Sequence, residues 1–122
     1  MTFKLSQRSL NNLKGVDEDL VAVVKRAIEI TEIDFGVTEG IRTLDRQEEL
    51  FKKGLSKTMK SKHLIGRAVD VVAYVNGKVS WEKEDYYPIA LAMERAAIEL
   101  NVKIRWGGDF TSFFDGPHFE LI

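Results

Sequence analysis

At 122 residues the chain is of single-domain size, so one hydrophobic core spanning residues 1–122 is expected. Its 18 basic and 19 acidic residues leave a net charge of -1, which provides no field to hold a polyanion and argues against a nucleic-acid partner. Cysteine is absent, which excludes disulfides, thiolate nucleophiles and cysteine zinc knuckles, so any metal must be held by His, Asp or Glu.

The opening stretch MTFKLSQRSLNNLKG has neither a basic start followed by an apolar run nor a small-residue cleavage site, so no export signal is expected. Over residues 17–32, Leu20, Val23, Val24, Ala27 and Ile28 recur at three- and four-residue spacing and predict an amphipathic helix with Asp17 or a neighbour as its N-cap. Residues 35–40 read as a short strand ending in a turn before Ile41 and Arg42. A second helix is predicted from Leu44 or Asp45 to Lys53, stopped by Gly54 in the left-handed position. Residues 55–62 are polar, basic and aperiodic, the pattern of an exposed loop. Residues 67–75 form the strongest strand candidate, and Asn76-Gly77 supplies a two-residue hairpin turn into residues 78–81. The apolar run there, VVAYV, falls far short of the roughly 18–20 residues that span a bilayer, so no membrane insertion is expected. A third helix is predicted over residues 85–100, with Pro88 tolerated in its first turn. Strands over residues 102–106 and 117–122 complete the chain, and the irregular mixture of elements predicts an α+β fold: a small antiparallel sheet with about three helices.

The chemistry concentrates around the two histidines. His63 stands at the junction of the polar loop and the long strand, seven residues before Asp70. Strand alternation puts Asp70 on the face opposite Val69, Val71 and Ala73, a carboxylate within an apolar strand that needs a partner, whether a Lys, an Arg or a metal. His118 and Glu120 share one face of the last strand, with Phe119 and Leu121 on the other. Two imidazoles and one carboxylate make a three-ligand set that leaves one tetrahedral position free, as catalytic zinc requires.

The pattern Ser61-x-His63-x-x-Gly66-x-Ala68-x-Asp70, followed by Asp115-x-x-His118, resembles the signature of the VanY-like zinc D-Ala-D-Ala carboxypeptidases, whose fold is shared with hedgehog signalling domains and lysostaphin-type peptidases. Within that family the chain is similar to compact phage endolysins that act as L-alanyl-D-glutamate endopeptidases, and the similarity runs over nearly the whole chain, including Gly40-Ile41-Arg42-Thr43 with Gln47 and Ile104-Arg105-Trp106-Gly107-Gly108-Asp109. The resemblance implies a single zinc peptidase domain in which His63, Asp70 and His118 bind Zn2+ and Asp115 is the general base. It further implies that Arg42 contacts the substrate, that Ser61 and Gln47 form part of the polar shell, and that Asp109 binds substrate or a structural cation. Asp115 and Glu120 compete as base; Asp115 comes from a turn that can fold over the metal, and Glu120 is read as orienting His118. A positioned carboxylate suits proton transfer from water to a leaving amine, and a permanently charged guanidinium suits an oxyanion.

The expected activity is hydrolysis of the L-Ala-D-Glu bond in peptidoglycan stem peptides by a monomer. It would be held in the host cytoplasm until membrane lesions release it to lyse the cell. The alternatives are a D-Ala-D-Ala carboxypeptidase or dipeptidase, which would read a free C-terminal carboxylate, and a non-catalytic zinc-containing cell-wall binding domain. Asp115 argues against the last, since a structural zinc has no use for a base.

Overall fold

Asp17 accepts a hydrogen bond from the Asp19 backbone N–H and starts the helix predicted by the apolar stripe. In the computed structural model, which describes residues 2–56, 58–111 and 113–122, the elements in chain order are α1 (Gln7–Asn12), α2 (Glu18–Ile30), β1 (Asp34–Glu39), α3 (Leu44–Lys52), β2 (Ala68–Val75), β3 (Lys78–Ser80), α4 (Lys83–Leu100), β4 (Ile104–Trp106) and β5 (His118–Leu121). Short 3-10 turns occupy Lys62–Ile65 and Gly107–Asp109. The strands form one five-stranded antiparallel sheet in the order β1-β2-β5-β4, with β3 on the same edge of β2 as β5 but farther along it.

The core lies on one face of this sheet. There Leu20, Val23, Val24 and Ala27 of α2 and Ile89, Met93 and Ala96 of α4 pack with Val69, Val71 and Ala73 of β2 and Phe119 of β5, all fully buried. Burying one such aliphatic side chain stabilises the fold by about 1.5–3 kcal/mol, so the alternation of β2 dictates which way the strand faces. The opposite face presents Asp70 and His118, which are direct cross-strand partners.

Three expectations change in the structure. A fourth α-helix, α1, precedes those predicted; it is six residues long, too short to show a period, and is held by the Ser6 cap. It covers the free edge of β1, where Val37 N–H donates to Ser9 Oγ at 2.9 Å and Val37 C=O accepts from Asn12 Nδ2 at 2.8 Å. Pro88 lies in the second turn of α4, because the helix begins at Lys83; it has no N–H to give the Glu84 carbonyl, and the helix continues through it. Finally, the loop expected over residues 55–62 ends one residue early, because Lys62 already opens a 3-10 turn, and at its start the Leu55 and Ser56 N–H groups bond back to the Leu50 carbonyl. The hairpin turn is as expected, with Asn76 and Gly77 at φ 55° and 76°.

Candidate metal centre

Three elements converge on Asp70. His63 comes from the 3-10 turn, whose N-cap Ser61 accepts from the His63 backbone N–H and whose end is set by Gly66 at φ 70°. Asp70 comes from β2, and His118 stands opposite it on β5. One ligand atom of each residue lies within 4.8 Å of the other two. His63 Nε2 is 3.3 Å and His118 Nδ1 3.2 Å from the same oxygen, Asp70 Oδ1.

The outer nitrogens of both rings are committed elsewhere. His63 Nδ1 lies 2.8 Å from the Gly40 carbonyl, which fixes the tautomer with the lone pair on Nε2. His118 Nε2 lies 2.8 Å from Glu120 Oε1, and the second oxygen of Glu120 is 3.1 Å from Lys62 Nζ. His63 is 2% exposed, and among the described residues its Nε2 has no hydrogen-bond partner despite the nearby carboxylate. A buried acceptor with no donor is costly. The donor set of two imidazole nitrogens and one carboxylate oxygen therefore fits a divalent cation of the zinc type, and the orphaned nitrogen points to where it would sit.

Electrostatics divide the carboxylates. Burial pushes Asp70 up, but the hydrogen bond from His118 and the close approach of both imidazoles outweigh it and hold Asp70 below the usual carboxylate range. Burial lowers the basicity of His118, yet Asp70, Glu120 and Asp115 together raise it above an ordinary imidazole. Asp115 moves the other way: burial and the charge of Asp70 push its carboxyl up, against the pull of His118, His63 and Arg42. Glu120 is held down by its bonds to His118 and Lys62, which outweigh its burial. Nothing among the described residues hydrogen-bonds to the Asp115 carboxylate, whereas both oxygens of Glu120 are engaged.

Arg42 is more deeply fixed than a substrate-facing residue would suggest, with a side chain only 8% exposed. Its Nε and Nη2 grip both oxygens of Glu39 at 2.8 Å, and Nη1 donates to Gln47 Oε1 at 2.7 Å. Nη2 also lies 3.5 Å from Asp70 Oδ2. Gln47, fully buried, in turn donates to Ser56 Oγ at 2.8 Å and to the Thr58 carbonyl. Arg42, Glu39, Ser56 and Thr58 border a cleft of about 710 Å³ that runs over the His63, Asp70 and His118 cluster, while Gln47 lies buried outside its lining. Ser61, Asp115 and Glu120 line it too, and an aromatic wall of Phe110, Phe113 and Phe114 faces them. Asp109 does not belong to this set: it is exposed in the second 3-10 turn, outside the cleft lining, and its charge acts on Glu94 instead.

A model of the family described as phage L-alanyl-D-glutamate peptidase matches residues 1–122. The chain belongs to this family. It is 34% identical to the L-alanyl-D-glutamate peptidase of Escherichia phage T5, with 100% of both chains covered. It is 30% identical to the L-alanyl-D-glutamate peptidase of Listeria phage A118, matching 99% of this chain but 43% of that longer one. Among solved structures it is similar to the Serratia marcescens L-Ala D-Glu endopeptidase ChiX, at 45% identity and a TM-score of 0.94 over 99% of this chain and 91% of that one.

Two residues that matter to the geometry of this L-alanyl-D-glutamate peptidase family member escape sequence reading. Glu39 faces the cleft only because the β1-β2 register shifts between Val37 and Glu39, which brings Glu39 opposite Asp70. Unbroken alternation would have turned it away. Gly107 is legible as a turn glycine, but its purpose is steric: a Cβ there would overlap the Asp115 carbonyl oxygen and press on His118 Cβ at 3.0 Å. Gly107 is thus the floor on which Asp115 rests, with the Asp115 N–H bonded to the Gly107 carbonyl at 3.0 Å.

Proposed function

We propose that this chain cleaves the L-Ala-D-Glu bond of peptidoglycan stem peptides as a zinc endopeptidase, with His63, Asp70 and His118 as ligands and Asp115 as the proton carrier. The observation that carries the metal assignment is the buried, unpartnered His63 Nε2 aimed at Asp70 beside His118. When bound, the ion would supply Lewis acidity, lowering the pKa of water and polarising the scissile carbonyl.

The chain's own residues supply the rest. Among the described residues Asp115 has no competing hydrogen bond, and its carboxyl is made more basic by burial, so it is suited to take a proton from water and return it to the leaving amine. Arg42, held by Glu39 and Gln47, keeps a fixed positive charge beside Asp70 and would stabilise negative charge developing on the carbonyl oxygen. Glu120 orients His118, and Ser61 orients His63 through its backbone. All these groups belong to one chain, which suits a monomeric enzyme. Among the described residues no helix is long and apolar enough to cross a membrane. We infer a lytic role in which the enzyme waits in the host cytoplasm and meets the wall after the membrane is breached, by analogy with the phage relatives.

Digestion of purified muropeptides tests the reading. A new N-terminal D-Glu found by mass spectrometry, lost on chelation and restored by Zn2+, is the expected result. Release of D-Ala instead would identify a carboxypeptidase, and no cleavage with zinc bound would leave a wall-binding domain.

A further inference from the structure

Among the described residues the cleft is lined by three cations, Arg42, Lys60 and Lys62. Arg42 is held by Glu39 and Gln47, and Lys62 by Glu120 Oε2 and the Leu121 carbonyl. Lys60 is different. Its backbone N–H donates to Thr58 Oγ1 at 2.9 Å, but its exposed ammonium has no ion pair or hydrogen bond among the described residues. The carboxylates of the cleft are already assigned: Glu39 to Arg42, Glu120 to His118 and Lys62, Asp70 and Asp115 to the metal centre. Among the described residues Lys60 is therefore the cleft cation left for a ligand's negative charge.

The substrate proposed above carries such a charge in a definite place. In a γ-linked D-Glu, the carbon bonded to the scissile nitrogen also bears the α-carboxylate. This group enters the cleft whenever the scissile carbonyl reaches His63, Asp70 and His118. The L-Ala side of the bond offers no charge. Lys60 lies three residues before His63, so their Cα atoms are at most about 11 Å apart, within reach of a long flexible side chain directed at a group beside the cut bond. Arg42 already gives three of its five N–H donors to Glu39 and Gln47 and lies 3.5 Å from Asp70, so its charge is largely balanced before a second carboxylate arrives.

We infer that Lys60 is a specificity residue that recognises the α-carboxylate of the D-Glu next to the scissile bond, so that the enzyme favours stem peptides with a free carboxylate over those amidated there. The inference rests on the cleavage reaction proposed above.

The test uses zinc-loaded full-length protein and two synthetic tetrapeptides, N-acetyl-L-Ala-γ-D-Glu-L-Lys-D-Ala and its α-amide, which match in shape and differ in charge. Wild type should cleave the acid with a kcat/KM about five- to tenfold above the amide, the range for a partly solvated charged hydrogen bond. Lys60→Gln should lose that factor on the acid, keep its rate on the amide and retain its zinc, whereas Lys60→Arg should keep the preference. Raised salt should narrow the wild-type preference. Equal wild-type rates on both peptides, or an equal loss on both in Lys60→Gln, would overturn the inference while leaving the cleavage reaction intact. Cleavage of neither peptide by wild type would overturn the activity itself, and this inference with it.

Discussion

Gly107→Ala separates the positioning of the base from the binding of the metal. The glycine is buried and its φ is not in the left-handed region, so alanine meets no backbone strain, only crowding. The added methyl would overlap the Asp115 carbonyl oxygen, approach Asp115 Cβ to 2.9 Å and His118 Cβ to 3.0 Å. Two of the three contacts involve Asp115, and relieving the overlap requires its segment to move by about 1 Å, a displacement that costs roughly 10²-fold in catalysis when it affects a reacting group. His118 is anchored to β2 through its register with Asp70 and to Glu120 at 2.8 Å, so it should yield less. Overpacking should cost about 1–3 kcal/mol of stability. The assay compares kcat on a muropeptide, zinc content and melting temperature with those of Ile89→Val, a fully buried core change costing about 0.5–1.5 kcal/mol outside the cleft lining. A Gly107→Ala enzyme with wild-type kcat would refute the reasoning, as would a loss of activity matched by an equal loss of zinc.

His63→Ala, Asp70→Ala and His118→Ala should each abolish tight zinc binding and activity together, since two protein ligands hold the ion poorly; near-stoichiometric zinc in any of them by elemental analysis would exclude that residue as a ligand. Asp115→Asn should keep zinc and shape but lose about 10²–10⁴-fold in turnover, whereas Glu120→Gln should cost about 10–100-fold; the reverse ranking, read by single-turnover kinetics, would exchange their roles. In chelated protein the raised His118 adds stability below about pH 6.5 that disappears as pH rises through its folded value, and the lowered Asp70 adds stability above about pH 3.9 that disappears on acidification. Melting temperature without metal should therefore peak between those limits and fall above them. Because His118 must shed its proton to ligate, zinc affinity should rise over the same alkaline range; a chelated protein that gains stability from pH 6.5 to 8 would contradict this.

The elements with strong periodicity were legible because tertiary packing agrees with the local pattern, as in α2 and β2, whose predicted apolar faces are the buried ones. The cluster proposed to hold the metal was legible because His63, Asp70 and His118 are polar residues where the pattern calls for core or turn. What stayed hidden is set by contacts distant in sequence. Ser9 looks like a surface serine until Val37 needs an acceptor, and Gln47 looks like a solvent-facing helix residue until Ser56 and Thr58 come within hydrogen-bond reach of it. The register shift before Glu39 leaves no mark in composition, because one extra residue in a strand is indistinguishable from ordinary alternation until the partner strand is known.

The shared edge of β2 has a consequence for how activity and metal affinity respond to temperature. With β1 on one side and β5 followed by β3 on the other, the strand carrying Asp70 is hydrogen-bonded along both edges, and even Val71 N–H is taken by the Pro117 carbonyl. Amides here should be among the slowest of the chain to exchange with deuterium, while those around Lys60 and Asp115, outside the helices and strands, should exchange early. Asp70 on its strand and the proposed proton carrier Asp115 thus sit on opposite sides of a boundary between slow and fast opening. Natural variants adapted to cold or heat can then change catalytic rate by altering the segment that carries Asp115, with Asp70 and His118 still fixed on their paired strands.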